Sequence, residues 1–174
     1  MLETHLTDIF VALNKAEVRY LVVGGLAVIA HGHVRGTVDL DLVVALDAMN
    51  AQRTLDALGT LGYRPRAPVN ASDFASAQSR DSWRKDKGML VFQLVSPRHE
   101  ETAIDLFIRE PFNFAQEFAA APRLELIPGI ETPVVRYETL LIMKRNANRP
   151  KDIEDIRNLE LARQSLEPGH DFPI

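Results

Sequence analysis

The segment Val38-Asp39-Leu40-Asp41-Leu42-Val43-Val44 constrains this chain more than any other. Its β-branched and leucine content predicts a strand. Side chains alternate along a strand, so Val38, Leu40, Leu42 and Val44 share one apolar face while Asp39, Asp41 and Val43 share the other. Two like charges then sit at i and i+2, roughly 6–7 Å apart at their Cα atoms. That proximity is unfavourable unless a cation neutralises the pair or one acid takes up a proton. The strand predicted over 102–108 repeats the device: Ile104, Leu106 and Ile108 form its apolar face, and Asp105 points the other way beside Phe107. If the two strands are near neighbours, three aspartates converge. An all-carboxylate oxygen set without His or Cys suits a hard cation, Mg²⁺ or Mn²⁺, and three carboxylates can hold two such ions for in-line phosphoryl chemistry. An isolated Asp-x-Asp can equally line the solvent face of an edge strand.

The surrounding chain supplies the context. Apolar residues Leu2, Leu6, Ile9, Phe10 and Leu13 recur at helical spacing, predicting a helix over about 3–17. Tyr20-Leu21-Val22-Val23 reads as a buried strand running into Gly24-Gly25, followed by a short helix over 26–31. Asp47 is a plausible N-cap for a helix ending near Leu61-Gly62. Residues 63–88, opening with Arg64-Pro65-Arg66-Ala67-Pro68 and rich in Ser, Asp, Gln and Lys, predict a long surface loop. Strands over 89–95 and 102–108 fit an antiparallel link, then come a helix over 112–121, two short strands flanking Pro128-Gly129, and helices over 137–146 and 152–163. This order predicts a mixed α+β domain: a core over 1–136 and a helical segment over 137–174 packed on it.

Composition narrows the class. The 174 residues suit one domain, and 46% hydrophobic with 25% charged residues excludes wholesale disorder. The absence of cysteine excludes a disulfide framework, a thiolate nucleophile and Cys-ligated metal sites. A formal charge of −4 argues against nonspecific polyanion binding by the chain as a whole. The N-terminus lacks a basic region followed by an apolar core, and the longest apolar run, Tyr20 to Ala30, is too short to cross a bilayer. A cytoplasmic location without membrane association is the expectation.

Glycines at a strand-to-helix turn let backbone N–H groups approach a phosphate, although a glycine pair alone is more often just a tight turn. Thr37 and Arg35 could contact the same phosphates; Arg35 can equally be an ordinary solvated residue. Here the pattern becomes specific. A glycine pair, thirteen residues, Asp39-Leu40-Asp41-Leu42 and a third Asp on a later strand resemble the signature of the nucleotidyltransferase superfamily typified by DNA polymerase beta. Val23-Gly24-Gly25-Leu26-Ala27-Val28, Arg35-Gly36-Thr37-Val38-Asp39-Leu40-Asp41 and Lys144…Arg149-Pro150-Lys151-Asp152…Asp155 resemble small bacterial members, including AbiEii-like toxins and minimal antibiotic-modifying enzymes.

The resemblance implies a polymerase-beta-like fold, a mixed sheet flanked by helices with a short helical C-terminal end. It implies an enzyme that moves an NMP from an NTP to a hydroxyl or phosphate acceptor on RNA, protein or a small molecule. Asp39, Asp41 and Asp105 would ligate two Mg²⁺ or Mn²⁺ ions, Asp105 also serving or positioning the base. Gly24 and Gly25 would cradle the triphosphate, with Arg35, Thr37, Lys144 and Lys151 as further nucleotide contacts and Asp152 and Asp155 orienting them. An antitoxin partner is a further expectation from the toxin type. A non-catalytic nucleotide- or partner-binding module is the alternative. A metal-dependent phosphodiesterase is weaker, because the histidines at 5, 31, 33, 99 and 170 do not group with the acids.

Two basic clusters are candidates for the second substrate. Residues 80–98 set Trp83 among Arg80, Arg84, Lys85, Lys87 and Arg98, which suits base stacking, or equally a tryptophan packed on the domain with solvated charges around it. Residues 144–151 hold Lys144, Arg145, Arg149 and Lys151 with no acid. His31 and His33 read as structural or surface residues.

Overall fold

A computed structural model describes residues 2–37 and 39–166. Val38, expected on the apolar face of its strand, and 167–174, expected in the helical segment, lie outside the described residues. The order is α1 (Leu2–Lys15), β1 (Tyr20–Val22), α2 (Gly24–Ala30), β2 (Leu40–Val44), α3 (Ala48–Thr60), β3 (Arg64–Pro65), a 3₁₀ turn (Ala71–Ala75), α4 (Ala77–Lys87), β4 (Val91–Val95) and β5 (Ile104–Phe107). Then follow α5 (Phe114–Ala120), β6 (Arg123–Ile127), β7 (Ile130–Pro133), α6 (Tyr137–Ala147) and α7 (Pro150–Leu166). The predicted α+β class holds.

Five strands form one mixed sheet in the order β1-β2-β5-β4-β3. Only β2 and β5 run parallel; the other pairs are antiparallel. The parallel pair is joined through α3, α4 and the β4 hairpin arm, so the two aspartate strands become neighbours despite their separation in sequence. Leu40, Leu42, Ile104, Leu106, Phe92 and Leu94 bury the apolar side of these strands. The β6–β7 hairpin turns at Pro128-Gly129 and docks on β1 through a bridge between Val22 and Val134. Local signals stop the helices where expected: Asp47 accepts the Asn50 N–H at the start of α3, and Gly62, at φ +83°, follows its end.

Residues 63–88 depart from the predicted surface loop. They form β3, the 3₁₀ turn and α4, with Ser76 capping the start of α4 and Gly88 ending it in a left-handed conformation. Phe74 and Trp83 are buried and stack on Phe92 with ring centroids 5.2 and 5.1 Å away. Arg80 is buried too, its guanidinium donating to the carbonyls of Phe74 and Leu46. Three large side chains thus anchor a segment whose remaining residues are polar. Their wide spacing gave too little periodicity to reveal a helix.

Candidate active site

The parallel register decides what meets at the centre of the sheet. Asp41 on β2 lies opposite Asp105 on β5, and Asp105 lies opposite Gln93 on β4. Three polar side chains therefore form a row across the sheet, on the side opposite its leucines and isoleucines. Asp39 precedes β2 and is exposed at the mouth of the same cleft. That cleft, about 550 Å³, is also lined by Gly24, Gly25, Arg35, Thr37, Lys144, Arg149, Lys151 and Asp152. The structure thus brings the predicted carboxylates, glycines and nucleotide contacts to one cavity, while Asp155 lies buried behind Lys144 and Arg35 and does not line it.

The glycine pair has a packing reason in addition to the expected one. Gly24 adopts φ +63°, and a Cβ there would overlap the Asp41 carboxylate. A Cβ on Gly25 would come within 2.5 Å of Thr37 Oγ1 and 3.1 Å of the Arg35 guanidinium. The glycines make room for site side chains to lie against the β1–α2 turn. The Gly25 amide is directed at the Asp41 carboxyl, which it stabilises in the charged form.

Electrostatics divide the cleft in two. Burial, and then the neighbouring Asp105 charge, push Asp41 up to about 6. Burial also raises Asp105; Asp39 adds to the rise, whereas the Gln93 side chain, donating to Asp105 Oδ1 at 2.8 Å, opposes it. No ion pair is made by Asp39, Asp41 or Asp105 among the described residues.

The opposite wall, from α6 and α7, is saturated with ion pairs. Lys144 Nζ lies 3.2 Å from Asp152 Oδ1 and 2.7 Å from Asp155 Oδ2. Arg149 pairs with Asp152 at 2.6 Å, and Arg35 reaches Asp155 at 2.7 Å from the loop before β2. Burial alone would raise Asp152, but hydrogen bonds from Arg149 and Lys144 overcome it and bring the group down to about 2. Asp155 is lowered the same way by Lys144 and Arg35. Three cations against two carboxylates leave this wall net positive, with exposed Lys151 adding to it. The 144–151 cluster, acid-free in its own sequence, finds its acids on α7.

Other expectations fall away. Trp83 is stacked in the core and cannot stack on a base, and Arg84 and Lys85 pair with Asp81 on the helix surface. His31 Nε2 donates to the Val135 carbonyl and His33 Nε2 accepts from the Asn158 side-chain amide, structural contacts as expected of both. Gln93, Arg66 and Asp155's link to Arg35 carried no signal as site features in the sequence.

The family described as Nucleotidyltransferase of unknown function (DUF6036) matches residues 4–167. This chain belongs to that family. Solved structures of nucleotidyltransferases share its fold. One, the solution structure of the antibiotic-resistance factor ANT(2'')-Ia, is 20% identical over 95% of this chain and 84% of its own, with a TM-score of 0.58. A crystal structure of ANT(2'')-Ia with adenylyl-2''-tobramycin is 17% identical, covering 94% of this chain and 91% of its own, TM-score 0.57. The lincosamide antibiotic adenylyltransferase LnuA, lincomycin-bound, is 17% identical over 90% of this chain and 95% of its own, TM-score 0.58. No curated protein sequence matches the chain. The fold of this nucleotidyltransferase is therefore the polymerase-beta-like one that the sequence resemblance implies.

Asp41 and Asp105 are adjacent, partly buried, like-charged and unpaired, a combination that a hard cation relieves. Among the described residues no three acids or imidazoles close into a ready-made cage. The donor set fits a divalent cation shared with a bound substrate's oxygens, as Mg²⁺ is usually held. No helix among the described residues is long and apolar enough to cross a membrane.

Proposed function

We propose that this nucleotidyltransferase moves an NMP from an NTP to a hydroxyl on a small molecule, with Mg²⁺ or Mn²⁺ held by Asp39, Asp41 and Asp105. The observation that carries this reading is the unpaired Asp41–Asp105 couple facing a net-positive wall across one cleft. Two divalent ions, when bound, supply charge neutralisation on the triphosphate and lower the pKa of an attacking hydroxyl. Asp105, whose carboxyl is half-exposed to the cleft, orients that hydroxyl or takes its proton. Arg35, Arg149, Lys144 and Lys151 attract the triphosphate, and Asp152 and Asp155 hold the first three in place. Thr37 beside Gly25 offers a hydroxyl to the same ligand. In this arrangement residues 1–136 carry the carboxylates and 137–166 lay the cationic wall against them.

A small-molecule acceptor is favoured by the neighbours, one bound to adenylyl-2''-tobramycin and another to lincomycin. A cleft of about 550 Å³ lies in the usual range for such ligands. The antitoxin partner rests on the sequence resemblance alone. The test is incubation with each α-labelled NTP, Mg²⁺ and separate pools of aminoglycosides, lincosamides, tRNA and cell protein. Label on an antibiotic-like hydroxyl supports the proposal, and label on RNA or protein replaces the acceptor. Measurable NTP binding without transfer would favour a binding module.

A further inference from the structure

We infer that Gln93 and Arg66 form a positioning relay that fixes the Asp105 carboxylate toward the cleft; this rests on the proposed role of Asp105. Gln93 sits opposite Asp105 in the β4–β5 register, and its Nε2 donates to Asp105 Oδ1 at 2.8 Å. A glutamine amide can face either way, and only one way offers Asp105 a donor. Arg66 settles which. Its guanidinium, which can only donate, lies 2.6 Å from Gln93 Oε1, so the amide nitrogen must face the aspartate.

Arg66 is itself held by the backbone. Its N–H donates to the Gln93 carbonyl at 2.9 Å, carrying the β3–β4 ladder one residue beyond Pro65↔Leu94. One residue thus contacts both the main chain and the side chain of Gln93. The result is a chain of charge-assisted hydrogen bonds, Arg66 to Gln93 to Asp105, which engages one oxygen of the carboxylate and leaves the other for the cleft. It also gives the 63–88 segment a purpose at the site. Phe74, Arg80 and Trp83 lock that segment to the sheet, and its first turn carries Arg66 alongside β4.

Partners that hold a metal-facing group through a hydrogen bond commonly contribute about 10–100-fold to cation affinity or activity. Gln93→Leu should therefore weaken Mn²⁺ binding about 10–100-fold, read by electron spin resonance of free Mn²⁺. The same variant should lower kcat for NMP transfer while leaving the KM for NTP nearly unchanged. Gln93→Glu keeps the size and the Arg66 contact but turns an oxygen toward Asp105, and should be at least as impaired. Arg66→Ala should move both readings in the same direction by less, with Arg66→Lys restoring most of the loss. The double variant Arg66→Ala/Gln93→Leu should be no worse than Gln93→Leu alone, because Arg66 acts through the amide. Wild-type Mn²⁺ affinity in folded Gln93→Leu overturns the relay; additive losses in the double variant show instead that Arg66 touches substrate directly. A wild-type protein that binds Mn²⁺ but labels no acceptor overturns the transfer reading alone, and the Mn²⁺ series still decides the relay. A wild-type protein that binds no Mn²⁺ overturns both.

Discussion

The two walls of the cleft are built from the same residue type and behave in opposite ways. On the sheet wall, Asp41 and Asp105 lie in register and neither makes an ion pair among the described residues, and their carboxyls rise above the ordinary range. On the helical wall, Asp152 and Asp155 are more buried, yet their carboxyls fall below it because Lys144, Arg149 and Arg35 surround them. Burial alone does not set the direction; the partner does. The paired wall is complete as folded. Among the described residues the carboxylates of the other wall have no ion-pair partner of their own, which is the gap that the proposed cation would fill.

The strongest way to break this contrast is to neutralise the sheet wall. Asp41→Asn and Asp105→Asn should each lower NMP transfer about 10²–10³-fold, the scale seen when a charge-stabilising group is removed from a reaction centre. Stability should move the other way. Removing one of two repelling acids relieves the folded state, so melting without metal should rise or hold for both variants. Mg²⁺ should raise the melting temperature of the wild type and not of Asp41→Asn, since a ligand that binds only the folded state stabilises it. A fall in metal-free melting for Asp41→Asn would show that its carboxylate is structural after all.

The helical wall should respond with stability first. Asp155→Ala leaves Lys144, 7% exposed, with one carboxylate and strips Arg35 of its partner. Removing one member of such a buried pair costs about 3 kcal/mol or more, a melting shift of roughly 6–12 °C for a chain this size. Chemical denaturation at pH 7 measures it. An unchanged midpoint would mean that the Arg35 loop and α7 are held by other contacts.

What was legible in the sequence follows the same division. The strand Leu40–Val44, shorter than the predicted 38–44, its acid at 41 and the third acid at 105 announced themselves through alternation, because a charge on a core strand is conspicuous against leucines, whereas Asp39 falls just before the strand and not on its face. The glycine pair was visible, but its packing role was not: only the fold shows Asp41 and Thr37 lying where a Cβ would go. The helical wall was half-legible, since Lys144 and Asp152 to Asp155 stand in a recognisable pattern while their pairing depends on how α6 crosses α7. The 63–88 segment was misread because three large side chains bury it among polar neighbours. Gln93 and Arg66 were silent for a related reason: a polar residue on a half-buried strand has no meaning until the register names its neighbour.

Gly24→Ala probes the seam between the walls with a smaller effect. The left-handed backbone at φ +63° costs an alanine about 1–2 kcal/mol, and the added methyl displaces the Asp41 carboxylate. Mg²⁺-induced stabilisation should shrink along with transfer. Gly36→Ala, where a Cβ meets nothing within 4 Å, is the matched control for a glycine beside the site.

The finest comparison is with pH. Asp152 stands at about 2 in the folded protein against an ordinary value of 3.8. An acid lowered on folding contributes stability above its unfolded value and loses it as pH falls through the folded one. The contribution is therefore whole above about pH 4 and fades toward pH 2. Asp152→Asn carries no such titration. The gap in unfolding free energy between wild type and Asp152→Asn should be widest near neutrality and narrow as pH drops from 4 toward 2. Carboxylates outside the Lys144 network titrate alike in both proteins and cancel, and Asp155, which shares Lys144, keeps its own Arg35 partner in the variant. A gap that stays constant over that range would therefore mean that Lys144 and Arg149 do not hold Asp152 in its charged form.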